Sequence, residues 1–402
     1  MNETLTPLVR ADHETPAGLS LGRKGFRPFF LLASAFAAVI APLWLLVFLG
    51  VIHPGSYLVP IYWHAHEMVF GFAVAVIAGF LLTAVGNWTK QETAVGAPLL
   101  GLAVLWMAGR FAVTFATSLP RGVAAVVDLA FLPALMIALG RPIVRAKNTR
   151  NLIMVAVLGA LWLANLAVHL DALGIVTGWQ RRGCIVGVDI VVLLMLVMVG
   201  RVLPMFTRNV TAAASIRSHA TLDRLTLAAM VCLTLLDVVK PDHALNGAVS
   251  AVVGVLATAR AVHWGMQFAM RTPLLWILHF GYLWIPIGLL LRGWAVIDPA
   301  MSSSLATHAL TAGAIGSLTL GMMARVTLGH TGHVLEASPW ITFAFVLVTL
   351  AAVARVFGPM LLPAEYLHFL ECAGILWSVA FAIYVIVDAP ILLRRRVDGK
   401  PG

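Results

Sequence analysis

Charge is scarce in this sequence: 11% of its 402 residues are Asp, Glu, Lys or Arg, whereas 61% are hydrophobic. Soluble globular chains carry about 25% charged residues, so that class is excluded, and a mean hydropathy of +0.95 leaves a polytopic helical membrane protein. Acidic residues are the scarcer charge, 17 against 27 Lys plus Arg. The basic excess lies in short loops, which fits orientation against an anionic leaflet. No soluble basic face is present, so nucleic acid is excluded as a partner and the lipid bilayer is the expected one. Cysteine is also rare. Cys184, Cys232 and Cys372 lie in apolar segments without CxxC, CxxCH or a zinc-like spacing, and are expected as small buried apolar residues. Covalent c-type haem is thereby excluded, while haem b held by histidine alone stays open. No flavin or iron-sulfur motif is visible. A cleavable signal is not expected either, because the first twenty residues are polar and the apolar run starts only after Arg23, Lys24 and Arg27.

What is present is hydrophobic runs of membrane-crossing length. They divide into twelve spans, near 28–50, 62–86, 97–117, 121–140, 150–170, 183–205, 222–239, 245–263, 274–297, 303–327, 339–358 and 366–393. The fold class is all-α, a polytopic membrane bundle in which the spans form three groups of four. Residues 1–20 read as a cytoplasmic tail and 21–396 as one transmembrane domain. Counting Lys and Arg in alternate loops puts both termini in the cytoplasm.

The stretch from Tyr62 to Gly86 opens with Trp63-His64-Ala65-His66-Glu67. Ionisable groups at membrane depth are costly, so a metal, a proton path or a partner is expected to offset them. Neutral imidazole is a haem and metal ligand. On a helix, residues i and i+2 point about 200° apart. His64 and His66 therefore serve two centres, or His64 precedes the helix. An internal echo supports a shared interior: the spacing of His66, Gly71 and Gly79 recurs in His308, Gly313 and Gly321. Orientation then gathers His64, His66, Glu67, His169 and His308 into an outer layer, contributed by helices remote in sequence, as in bundles that build haem or copper sites. Gly71, Ala75, Gly79, Gly313 and Gly316 read as close-packing faces set apart from the histidines. An inner layer holds Lys24, Arg27, Arg201, Arg208, His263, His279, Arg325, His330 and His333. Arginines at such helix ends commonly snorkel to lipid phosphates. His279 is deeper, between Trp276 and Tyr282, and is the better ligand or relay candidate there.

At these motifs the sequence resembles the NnrS family, haem- and copper-containing membrane proteins of bacterial nitric oxide metabolism. The resemblance rests on KGFRPFFLLAS, WHAHEMVFGFAVAVIAGFLLTAVGNWT, GRVLPMFTRN, PLLWILHFGYLW and HALTAGAIGSLTLGMMARVTLGHTG, in that order along almost the whole chain. It implies twelve spans in a bacterial inner membrane. It also implies that His64, His66, His169, His279, His308 and His330 are the candidate ligands of haem b and copper. His333 stands where the family commonly has Arg, and is left out. A more distant fold analogy is to the haem-copper oxidase catalytic subunit, but the sixth and seventh spans here hold Asp189 and Asp237 and no histidine.

The leading expectation is a haem b protein, with or without copper, that binds or reduces nitric oxide and protects against nitrosative stress. His66 and His308 are its first ligands, with His64 and His169 as further ligands or as groups that support them. Glu67 is expected either to donate a proton or to orient a histidine, and Arg27, Arg201, Arg325 and Tyr282 are supporting groups. If the chain is a nitric oxide reductase-like enzyme, electrons must come from a quinol or a donor protein. The alternatives are a transporter of copper or a small metabolite, with transient histidine ligands, and a quinol-oxidising cytochrome b using Tyr282 and His279.

Overall fold

The computed structural model describes residues 20–400 apart from 212–214, 242 and 299. The expected tail at 1–20 lies, except for Ser20, outside the described residues. Those residues form no strand. Eleven helices are long and apolar enough to cross a membrane: α1 Phe26–Phe48, α2 Pro60–Thr89, α3 Ala97–Thr114, α4 Val123–Arg145, α5 Thr149–Ala172, α6 Trp179–Thr211, then α8 Ala244–Ala261, α9 Pro273–Ile297, α10 Ser303–Thr331, α11 Pro339–Leu361 and α12 Pro363–Leu393. Between α6 and α8 stands α7, Ala220–Val239, which carries three charged residues, Asp223, Arg224 and Asp237, in twenty. Each expected span coincides with one helix. The chain is therefore an all-α polytopic membrane bundle.

Local chemistry sets the ends. Proline occupies the first helical turn of α2, α9 and α11, where its missing N–H costs nothing. Ser302 and Ser338 cap α10 and α11 through their hydroxyls. Gly332, at φ +81°, ends α10, a left-handed position that suits a residue without Cβ.

The helices close into a ring of three groups. The fourth helix of each group packs on the first of the next: α4 on α5, α8 on α9, and α12 on α1. The second helix of each group is innermost, with 83% of the apolar window buried for α2 and 78% for both α6 and α10, and α6 touches the other two. Both α2 and α10 are interrupted by seven π-helical residues, Glu67–Ala73 and Ala309–Ile315, each beginning directly after the histidine of the echo, His66 or His308. The repeat seen in sequence is thus a repeat of backbone geometry. Such π segments are rare and concentrate at functional sites.

Of the cysteines, Cys184 is buried as expected, but Cys232 and Cys372 are exposed. They stand on outward helix faces, where lipid accepts an apolar side chain as readily as a protein core does.

Candidate functional site

His64 and His66 leave α2 on opposite sides, as their spacing requires, and enter two different environments. His66 is fully buried in a polar cluster built from four helices and one loop. Its Nδ1 faces Glu67 Oε1 at 3.1 Å, and its Nε2 faces Asn165 Oδ1 at 2.9 Å and Asp128 Oδ2 at 3.4 Å. Both ring nitrogens meet oxygen acceptors, so both are donor positions. Asp128 Oδ2 also accepts from His169 Nε2 at 2.9 Å and from Asn165 Nδ2 at 2.7 Å. The guanidinium of Arg110 donates to Glu67 at 2.9 Å and to Asp128. The Tyr57 hydroxyl, in the loop before α2, completes the chain by donating to His169 Nδ1. Burial first, then the charges of Asp128 and Glu67, push the Tyr57 phenol up and keep it a donor. Two carboxylates against one guanidinium leave one negative charge, which an imidazolium or a metal cation balances. His66, Asp128 and His169 bring ligand atoms within 4.8 Å of one another.

His64 turns the other way, stacked on Trp44 with ring centroids 4.5 Å apart and planes within 10°. It lines a cavity of about 670 Å³ together with His308 of α10, Trp377, Arg355, Arg292 and the carboxylates Asp189 and Asp237. His308 Nδ1 donates to the Ser304 carbonyl at 2.7 Å, one helical turn back, so its lone pair is on Nε2. His64 Nδ1 is buried without a hydrogen-bond partner. On the far wall Arg292 donates to Asp189 at 3.1 Å and to Asp237 at 2.6 Å. The two aspartates of the sixth and seventh spans are thus held by one guanidinium from α9.

The structure therefore regroups the outer histidines. His64 and His308 line the same cavity, whereas His66 lies outside it, against His169 and beside Asp128. Gly71 also belongs to the site, contrary to the reading that set it apart. A Cβ there would come within 2.9 Å of Arg110 Nη1, and its carbonyl accepts from Trp106 at 3.1 Å. Regular α-helical angles fail at Gly71 because it lies inside the π segment, where each turn holds more residues.

The inner-layer residues lie elsewhere and do not line the cavity. His279 Nε2 donates to Thr207 Oγ1 at 3.1 Å, since that hydroxyl gives its own proton to the Leu203 carbonyl. The Tyr282 hydroxyl is committed to the Ala257 carbonyl at 2.8 Å. Arg325 covers the Phe206 ring at 3.9 Å, and Arg201 is exposed. Arg27 does not snorkel: it is fully buried and donates to the carbonyls of Leu392 at 2.8 Å and Arg394 at 2.6 Å. Beside it the His330 ring packs on Phe26, with centroids 5.7 Å apart, and its carbonyl accepts from Arg396. His333 hydrogen-bonds Thr331 at 2.8 Å, and burial lowers its imidazole pKa. These groups tie the chain ends to the end of α10.

Sequence reasoning missed Tyr57, Arg110, Asp128, Asn165, Arg292, Ser304 and Arg355. Four of them carried a readable signal, a single charge within an otherwise apolar span.

A closed bundle of membrane-crossing helices, with buried histidine, carboxylate and arginine groups both around a cavity and in a cluster beside it, defines a multi-pass membrane protein. The family described as NnrS protein matches residues 20–396, and the chain belongs to it. No curated protein matches the chain.

Proposed function

We propose that this protein holds a haem b in its outer-half cavity between His64 and His308, and that the haem binds nitric oxide. The observation that carries the reading is the state of these two imidazoles. They come from equivalent helices of the repeat and face one cavity. His308 is fixed in orientation by Ser304, with Nε2 left free, and His64 keeps a buried nitrogen without a partner. Hydrogen bonding of the non-ligating nitrogen is how ligand histidines are commonly oriented. The volume suits a cofactor, as such pockets run to about 300–1,000 Å³. Bound haem would supply an iron able to take a diatomic ligand. The apolar wall of Trp44, Leu45, Val188 and Trp377 would keep water from it, and an apolar gas enters directly from the bilayer.

The His66, Asp128 and His169 group is the proposed place for copper. Its three ligand atoms converge, and a cation there would take over the balance now left to a proton on histidine. Glu67 and Arg110 would then orient the ligands rather than meet the gas, because neither lines the cavity. Turnover, as in nitric oxide reduction, would need electrons from a quinol or a donor protein.

One observation favours a second reading, a transporter of copper or a small metabolite. The paired interruptions in α2 and α10 border a single cavity, as discontinuous helices do around transported substrates. One experiment separates the two. Purified protein is examined by air-oxidised and dithionite-reduced spectra, with haem and copper quantified, in wild type and in His64→Ala, His308→Ala, His66→Ala and His169→Ala. The haem reading expects a b-type spectrum that shifts with nitric oxide and is lost in the first two variants but kept in the last two, which lose copper instead. Wild type that takes no haem but binds copper reversibly moves the assignment to transport.

A further inference from the structure

We propose that Arg355 is the recognition site for an anionic group bound in the cavity, either a carboxylate carried by the resident ligand or a small free oxyanion. Arg355 lies in the apolar run VLVTLAAVARVFGPML of α11, is 5% exposed and lines the cavity. Its Nη2 donates to Ser304 Oγ at 3.0 Å, and the guanidinium lies 5.6 Å from the centre of the Tyr366 ring. Its Nε and Nη1 are buried without an acceptor. No carboxylate among the described residues pairs with it. The two carboxylates that line the same cavity are already committed to Arg292, so they do not neutralise a second guanidinium.

A buried cation without a counter-charge is strongly unfavourable, and proteins keep one where something else brings the opposite charge. Guanidinium is matched in shape and donor pattern to planar oxyanions, carboxylate above all. The position is specific as well. Ser304 accepts from Arg355 on its hydroxyl and from His308 on its carbonyl, so an anion on Arg355 sits one residue from a candidate haem ligand. The carboxylate arm, in which a haem propionate is the anion, rests on the haem reading. The free-anion arm does not.

The test uses full-length protein in detergent, as wild type, Arg355→Met and Arg355→Lys, with three probes: haemin, haemin dimethyl ester and nitrite. If Arg355 holds a propionate, wild type takes up haemin about 10-fold or more better than the ester, a charged hydrogen bond being at stake, and Arg355→Met erases that preference. If it holds a free anion, haemin and ester bind alike, and calorimetric nitrite binding to wild type is lost in Arg355→Met and weakened less in Arg355→Lys. Wild type that fails to prefer haemin over its ester and also fails to bind nitrite overturns the proposal, without reliance on any variant. A chain that takes neither haem form yet binds nitrite through Arg355 keeps the anion site and removes the haem reading.

Discussion

At the residue scale, the buried cluster around Arg110 ties its half of the bundle together, because one guanidinium bridges two carboxylates from α2 and α4. Breaking such a group by removing one partner typically costs ~3–5 kcal/mol, since it strands the opposite charge away from water. Arg110→Met is therefore expected to lower the thermal midpoint in detergent more than Asp128→Asn, which still leaves Arg110 paired with Glu67. The double variant Glu67→Gln with Arg110→Met should recover part of the loss by removing a stranded carboxylate. Midpoints for Arg110→Met at or above that of Asp128→Asn would reject this account. The histidines of this cluster were legible in sequence, because His within an apolar span is conspicuous. Their partners were half legible. Arg110, Asp128, Arg292 and Arg355 each interrupt an apolar run, but which acid meets which base depends on helix rotation, and no local pattern reports that. Tyr57 and Asn165 carried no signal, being ordinary residues in a loop and on an otherwise apolar helix.

The twelve helices were legible at the element scale, because length and hydrophobicity alone decide them in a bilayer. The two π segments were not. They widen a turn within α2 and α10 and so set the rotation of each histidine-bearing segment relative to the rest of its helix. Adding one alanine beyond either segment, after Ala78 in α2 or after Leu320 in α10, would turn the two halves by about 100° relative to each other, because the wide turn already accommodates its one extra residue. His64 would then leave the cavity in the first case and His308 in the second. Each insertion is expected to yield a monodisperse protein that has lost whatever haem the wild type holds, and undiminished haem content in both would show that helix rotation does not position the proposed ligands. The glycines inside the π segments are unequal. A Cβ at Gly313 would lie 2.5 Å from two atoms of the rigid Trp284 ring, whereas at Gly71 it meets the movable end of Arg110 at 2.9 Å and an edge atom of Phe36 at 3.1 Å. Gly313→Ala should therefore lower the midpoint more than Gly71→Ala, and the reverse order would mean that the Arg110 end is the less yielding neighbour.

At the scale of the whole molecule, the ring of three groups puts both histidine sites, Asp189, Asp237, Arg292 and Arg355 in one half of the bundle. Charge says which half. On the side of the chain ends lie Arg23, Lys24, Lys90, Lys147, Arg150, Arg217, Arg271 and Arg394–Arg396, whereas the loops of the opposite side hold only Arg121 and Lys240, with Arg181 and Arg182 just inside α6. Basic loops stay in the cytoplasm, so both termini are expected there and the cavity should open toward the outer face. Three of its lining residues, Ile61, Tyr62 and Pro241, lie at or near loops of that same side. In whole cells, with Cys232 and Cys372 changed to Ala, a membrane-impermeant maleimide should label Ser302→Cys in the loop between α9 and α10, and should leave Lys90→Cys between α2 and α3 unlabelled until the membrane is opened. Both positions are exposed, so accessibility within the protein does not bias the result. The opposite labelling would put the cavity on the cytoplasmic side, and any aqueous ligand, proton or metal would then have to reach it from the cell interior.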